Sequence, residues 1–241
     1  MKQFGLIGKD ISYSFSEKYF SDKFKNESIT DSNYSIFDLP NLNLLNALLE
    51  NENLFGFNVT IPYKEKIIPY LDELSPEAEK IGAINCVKIQ HSKKVGYNTD
   101  AFGFRESLKP LLTPNHKNAL ILGDGGVAKA VKFVLDELNI QFKTVRRDKG
   151  YIYSDITKED VLNQLLIINC TPLGTFPKID EKPDIPYHHL TKEHLLFDMI
   201  YNPEKTQFLE LGELKGATIQ NGHEMLVLQA EKSWEIWNQP L

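Results

Sequence analysis

Three groups of residues in this 241-residue chain have types and spacings suited to chemistry on a small polar molecule. The first is Gly123-Asp-Gly-Gly126 with Val127 and Ala128, lying between an apolar run and a helical pattern. Such a turn lets backbone N–H groups approach a pyrophosphate at the positive end of a helix dipole, and alanine is tolerated at the sixth position of the fingerprint. A plain tight connection would use the same glycines. The second group is Arg146-Arg147, at the end of the following strand. An acid there reads a ribose 2′-hydroxyl and an arginine reads a 2′-phosphate, so the pair favours NADP over NAD, with two solvated arginines as the plain alternative. Asp148 beside them adds a negative charge.

The third group precedes both. Ser14 and Ser16 lie two apart, so in an extended segment their hydroxyls share one side and suit a carboxylate or a polyol. Ser16 equally reads as the N-cap of a Glu17–Phe24 helix. Asn58 and Thr60 end a strand, after which Pro62 suits the first position of a helix. Lys64 then stands in a first turn, where a lysine is normally solvated; its charge has the wrong sign for the helix dipole, a misplacement that leans towards a chemical role. Asp100 reads as the N-cap of an Ala101–Leu108 helix.

The elements that must position these residues alternate between two periods. Period-two or continuous apolar runs predict strands at Phe4–Ile7, Tyr34–Phe37 and Phe55–Val59, with a hairpin of Ile84–Ile89 and Lys94–Tyr97 around polar Gln90–Lys93. Helical spacing covers Ser16–Lys25 and Leu42–Leu49. The turn-rich Pro110–Lys117 stretch starts a second α/β unit: strand Ala119–Leu122, the glycine turn, a helix to Leu138 and strand Phe142–Val145. Further strands are expected at Leu165–Ile168, Leu195–Ile200 and Ala217–Ile219, and an amphipathic helix from Gly222 to Trp237. The hydrophilic Lys178–His189 stretch reads as a mobile loop.

Composition narrows the classes. Hydrophobic residues make up 41% and charged residues 25%, which is the balance of a globular protein able to bury one large core or two modest ones. A net charge of −6 argues against a nucleic-acid partner, whose footprint is a positive field. Cys86 and Cys170 form no C-x-x-C, and the six histidines show no metal-binding spacing, so no metal is expected. No apolar run reaches the ~18 residues of a membrane span and the N-terminal one is too short for a signal peptide, so no membrane partner is expected and the cytoplasm is the default location.

Eight motifs, in order along the chain, resemble the shikimate dehydrogenase family: Ser14-Phe-Ser16, Asn58-Val-Thr-Ile-Pro-Tyr-Lys64, Gly82-Ala-Ile-Asn85, Asn98-Thr-Asp100-Ala-Phe-Gly103, Gly123-Asp-Gly-Gly126, Asn169-Cys-Thr-Pro-Leu-Gly174, Asp198-Met-Ile-Tyr-Asn-Pro203 and Asn221-Gly-His-Glu-Met-Leu-Val-Leu-Gln229. The resemblance implies an α/β protein of two domains. Residues 1–101 with 222–241 would form the substrate domain, and 102–221 a Rossmann-like parallel-sheet NADP-binding domain, with the C-terminal helix returning to the first. It further implies reversible, NADPH-dependent reduction of 3-dehydroshikimate to shikimate in aromatic amino-acid biosynthesis, by a monomer or homodimer. Carried over by motif, Lys64 and Asp100 are the acid/base pair, and Ser14, Ser16, Thr60, Asn85, Tyr201 and Gln229 hold the substrate. Gly123, Gly125, Gly126, Val127, Ala128, Arg146, Arg147, Thr171, Met199 and Gly222 take the cofactor.

The chain departs from the family pattern at Tyr13 for His, Glu17 for Pro, Asp124 for Ala, Arg146 and Asp148 in an Asn-Arg-Thr sequence, and Thr175 for Met. The two extra acids bear on the choice between cofactors. An NAD-dependent quinate/shikimate dehydrogenase and a non-catalytic dinucleotide-binding regulator are the other readings. A binding-only protein needs no proton-transfer pair, so retention of Lys64 and Asp100 favours the enzyme.

Overall fold

In strand β1 (Lys2–Gly8), Phe4 and Leu6 belong to one buried cluster and Ile7 to another, as the period-two alternation of a strand covered on both faces requires. The computed structural model describes residues 1–11 and 14–240, so Tyr13 lies outside the described residues. The chain divides into two compact units, residues 1–99 with 229–241 and residues 100–228.

The first unit is built on a six-stranded sheet. Its other strands are β2 (Ser32–Asp38), β3 (Gly56–Val59), β4 (Glu73–Leu74), β5 (Cys86–Gln90) and β6 (Lys93–Tyr97), in the order β2-β1-β3-β5-β6-β4. β1 pairs in parallel with β2 and β3, whereas β5 runs antiparallel to β3 and β6. The expected hairpin is present, turning at His91 and Ser92 with φ of 51° and 61°, the left-handed pair that matches strand twist.

Helices α1 (Phe15–Asn26), α2 (Leu45–Leu49) and α3 (Pro76–Ile81) complete this unit together with the end of the last helix. Ala230, Ile236 and Trp237 of that helix pack with Phe4, Leu6 and Phe20. The Trp237 ring stacks on Phe4 at 4.8 Å and its indole N–H donates to the Val87 carbonyl at 3.0 Å.

Two local expectations change. No helix opens at Pro62: residues 61–67 form turns, with Tyr63 N–H bonded to Thr60 O and Ile67 N–H to Tyr63 O, before a short 3-10 turn at Ile68–Tyr70. Pro69 would in any case end such a helix within two turns, because inside a helix it lacks the N–H and its ring collides with the carbonyl four residues back. The Leu42–Leu49 helix splits into a 3-10 turn at Leu42–Leu44, capped by Asn41, and α2.

The second unit starts with α4 (Thr99–Leu108), whose first residue still counts with the first unit. Its sheet consists of β7 (Asn118–Leu122), β8 (Gln141–Val145), β9 (Leu166–Asn169), β10 (Leu195–Asp198) and β11 (Thr218–Gln220). All pairings are parallel, in the order β11-β10-β9-β7-β8. Helix α5 (Gly126–Glu137) buries Ala128, Ala130, Val131, Val134 and Leu135 at helical spacing. Helices α6 (Lys158–Asn163), α7 (Gln207–Glu213) and α8 (His223–Asn238) follow. Residues 178–189, read from sequence as a mobile loop, are anchored: Ile185 sits in the core and the Tyr187 hydroxyl donates to Pro183 O at 2.7 Å. Among the described residues no helix is long and apolar enough to cross a membrane.

Candidate functional site

In the second unit the strand order reverses between β7 and β9, because the chain leaves β7 for β8 on one side and returns to β9 on the other. In open parallel sheets ligands settle at the carboxyl ends of strands beside such a reversal. The cofactor residues named from sequence all come together at those ends. Gly123, Gly125, Gly126, Val127 and Ala128 follow β7, Arg146 and Arg147 follow β8, Thr171 follows β9, Met199 follows β10 and Gly222 follows β11.

The turn itself requires its glycines. Gly123 has φ of 100°, and a Cβ there would lie 2.9 Å from Thr171 Cγ2, so the loops after β7 and β9 are in contact. Gly125 is the N-cap of α5, and a Cβ on it would meet nothing within 4 Å. Open space over a helix N-terminus, where the first N–H groups have no partner within the helix, fits a pyrophosphate. A side chain at Gly222 would run into the Met199 carbonyl, so the segments after β10 and β11 approach closely there.

The acid in the turn is already partnered. Asp124 accepts from Arg146 Nε at 2.6 Å and from the Lys132 ammonium. Burial pushes its carboxyl up, but the hydrogen bonds from Lys132 and Arg146 outweigh it and hold the group below the usual carboxylate range. Two cations face one anion, leaving a net positive charge, and the exposed Arg147 makes no ion pair among the described residues. At this edge the two cations outweigh the negative charge of Asp124.

Behind this edge lies a buried carboxylate that sequence reading passed over. Asp198 is fully buried, accepting from Thr206 Oγ1 at 2.6 Å and from Ile200 N and Asn169 Nδ2 at 3.0 Å each. Asn169 in turn accepts from the Thr171 N–H and hydroxyl, so one network ties the loops after β9 and β10. Burial raises the Asp198 carboxyl to about 6 against these three hydrogen bonds. The signal was its place in the Asp198–Pro203 motif, but burial is not written there. Both cysteines are free, and burial pushes the Cys86 thiol up to about 12, so it is inert.

In the first unit the polar residues gather at the carboxyl ends of β1 and β3, where β5 begins opposite. Ser14 and Ser16 follow β1, Thr60 and Lys64 follow β3, and Asn85 precedes β5. Thr60 N–H bonds to Ile7 O, Val59 N–H to Asn85 O, and Ile84 N–H to Lys64 O at 2.7 Å, so backbone bonds lock these loops to one another. Gln229 arrives on α8, its Oε1 accepting from Asn85 Nδ2 at 2.8 Å. Tyr201 and Asp100 belong to the second unit, Tyr201 just beyond β10 and Asp100 in the first turn of α4.

Two capping assignments move. The cap of α1 is Ser14, accepting from Ser16 N–H at 3.3 Å, because the helix starts at Phe15, two residues before the Glu17 start that the Ser16 cap would require. Ser16 instead lies inside the helix, in its first turn. Asp100 is likewise inside α4 rather than at its cap, since the helix begins at Thr99.

An open parallel sheet with a glycine turn at its reversal point and arginines after the next strand defines a dinucleotide-binding oxidoreductase fold, here joined to a second α/β unit. A family model for the shikimate dehydrogenase substrate binding domain matches residues 6–87. A shikimate dehydrogenase (NADP(+)) of Clostridium beijerinckii is 36% identical, covering 99% of this chain and 93% of its own. That of Methanococcus maripaludis is 37% identical over 98% of this chain and 91% of its own. The crystal structure of shikimate 5-dehydrogenase from Thermus thermophilus in complex with NADP(H) and shikimate superposes with a TM-score of 0.88 at 29% identity, covering 100% of this chain and 95% of that one. The chain belongs to the shikimate dehydrogenase family.

Proposed function

We propose that this chain catalyses the reversible NADPH-dependent reduction of 3-dehydroshikimate to shikimate, a step of aromatic amino-acid biosynthesis. The observation that carries the reading is full-length kinship, through both units, with enzymes named as NADP(+)-dependent shikimate dehydrogenases. The bound cofactor supplies the hydride. Lys64 supplies a positive charge and a proton to the oxygen that becomes an alkoxide, the two forms of help a ketone reduction needs. Asp100 would orient Lys64 for that proton transfer. Ser14, Ser16, Thr60, Asn85, Tyr201 and Gln229 hold the substrate's carboxylate and hydroxyls.

On the cofactor side, the backbone of Gly123, Gly125, Gly126, Val127 and Ala128 would receive the pyrophosphate. Arg147 would receive the 2′-phosphate beside Arg146, and Thr171, Met199 and Gly222 would border the remainder. The neutralised Asp124 supports NADP over NAD, since an acid bound to Lys132 and Arg146 is not offered to a ribose diol. The protein acts in the cytoplasm, as a monomer or a homodimer. The test follows NADPH oxidation with 3-dehydroshikimate and repeats it with NADH. Turnover with NADPH at much lower cofactor concentration than with NADH is expected, and no turnover with either cofactor would leave only a binding protein.

A further inference from the structure

Asn85 Oδ1 accepts the Thr99 backbone N–H at 2.6 Å. A backbone N–H can only donate, so this bond decides which end of the Asn85 amide carries the oxygen. Asn85 Nδ2 therefore turns to Thr99 Oγ1 at 3.0 Å and to Gln229 Oε1 at 2.8 Å. Gln229 must accept at that contact, which makes Nε2 its other, donating end. The polarity of two side-chain amides is thus set from a single backbone group.

Ser233 secures the same arrangement from the helix side. It lies one turn beyond Gln229 on α8 and is fully buried. Its hydroxyl accepts from Asn58 Nδ2 at 2.8 Å, donates to the backbone carbonyl of Gln229 at 2.9 Å and lies 3.2 Å from Thr99 Oγ1. With the Ser233 proton given to the Gln229 backbone, any proton between the two hydroxyls is that of Thr99, whose hydroxyl also lies 3.2 Å from Asn85 Oδ1. Asn58 is oriented in turn by the Tyr34 hydroxyl, which donates to its Oδ1 at 2.9 Å. Buried networks of this kind are rigid when every member is satisfied.

We propose that Thr99 and Ser233 are positioning residues: the Thr99 backbone N–H fixes the amide polarity of Asn85 and Gln229, and the Thr99 and Ser233 hydroxyls hold those residues in place, so that the two side chains present N–H donors and select acceptor oxygens, carboxylate or hydroxyl, on the substrate. The inference rests on the reading that Asn85 and Gln229 touch substrate. The donors are Gln229 Nε2 and the Asn85 N–H that Gln229 Oε1 accepts until a substrate oxygen replaces it. Thr99 and Ser233 are both buried and act through the residues they hold.

The test is steady-state kinetics on the full-length enzyme, with thermal unfolding of each variant recorded alongside. Ser233→Ala and Thr99→Val should each raise the KM for 3-dehydroshikimate roughly tenfold, the scale of one hydrogen bond, with kcat and the KM for NADPH held within about twofold. Thr99→Ser, which keeps the hydroxyl, should restore the substrate KM. The double variant should be no worse than the weaker-binding single, because both substitutions break one shared node. An unchanged substrate KM in Ser233→Ala and Thr99→Val overturns the proposal, as does a double effect equal to the product of the singles. So does a fall in kcat and in both affinities that follows loss of thermal stability. No turnover by the unaltered enzyme under these conditions overturns the functional reading, and this inference with it.

Discussion

Arg146 donates its Nε–H to Asp124 at 2.6 Å, tying the end of β8 to the glycine turn after β7. The pairing occupies one edge of the guanidinium and leaves Arg147, among the described residues, as the arginine without an ion pair. Arg147→Ala should therefore weaken NADP(H) by more than about tenfold, the loss of one charge-assisted phosphate contact, while NAD(H) kinetics barely move. Asp124→Ala removes a negative charge from the same edge and should tighten NADP(H) by roughly twofold to fivefold, a small effect because the pair is exposed to solvent. Cofactor titrations monitored by steady-state kinetics check both. Equal weakening of both cofactors in Arg147→Ala would assign the 2′-phosphate elsewhere.

Lys64→Ala should lower kcat by on the order of 10²–10⁴, the usual yield of general acid–base catalysis, with little change in cofactor binding. Asp100→Asn should also lower kcat. The measurement is turnover at saturating substrate. A loss confined to KM would make Lys64 a uniform binding group instead.

Ser14 and Ser16 separate by what else they hold. Ser14→Ala removes the cap of α1 and should cost about 1 kcal/mol of stability as well as substrate affinity. Ser16→Ala leaves the cap in place and should cost mainly affinity, ~1–3 kcal/mol for a bond to a charged ligand. Thermal unfolding and substrate KM, measured on both variants, resolve the two contributions. Normal substrate KM in both would remove the serines from the binding site.

Asp198 predicts a pH dependence of stability. Its carboxyl ionises near 3.8 when unfolded and at about 6 in the folded protein, so between those values the folded state holds a proton that the unfolded state has lost. The contribution is present below pH 4 and is lost as pH rises through 6. Asp198→Asn keeps a neutral group of the same shape and should escape that loss. Relative to the unaltered protein, the variant should gain on the order of 3 kcal/mol between pH 4 and pH 7. Chemical denaturation across that range is the check, and a pH-independent difference would mean that Asp198 keeps an ordinary ionisation.

Much of the fold was legible because its signals are local. Leu120 and Ile121 ahead of Gly123, Gly125 and Gly126 spell strand, turn and helix within a few residues, and period-two alternation alone exposed β1 and the β5–β6 hairpin. Pro62 misled because a favoured first helical residue says nothing of Pro69 seven positions later. Ser16 misled as a cap because the helix begins at Phe15, two residues before the start that cap would require. The catalytic and ligand candidates were legible as motifs, and their types alone announced phosphate, carboxylate and proton chemistry.

From residue types and local spacing the sequence by itself determined two α/β units, a phosphate-suited turn and the family to which the motifs belong. Tertiary structure alone decided how those residues are held. Thr99 and Ser233 stand 134 positions apart and meet only because α8 packs its end against the first sheet. Asp124 looked like a charge opposed to the cofactor until folding brought Arg146, 22 positions on, against it. Asp198 reads as an ordinary acid until β10 is enclosed and three donors converge on it. Hydrogen-bond partners and desolvation depend on which distant segments close over a residue, and neither is encoded within the few positions that local periodicity and turn chemistry span.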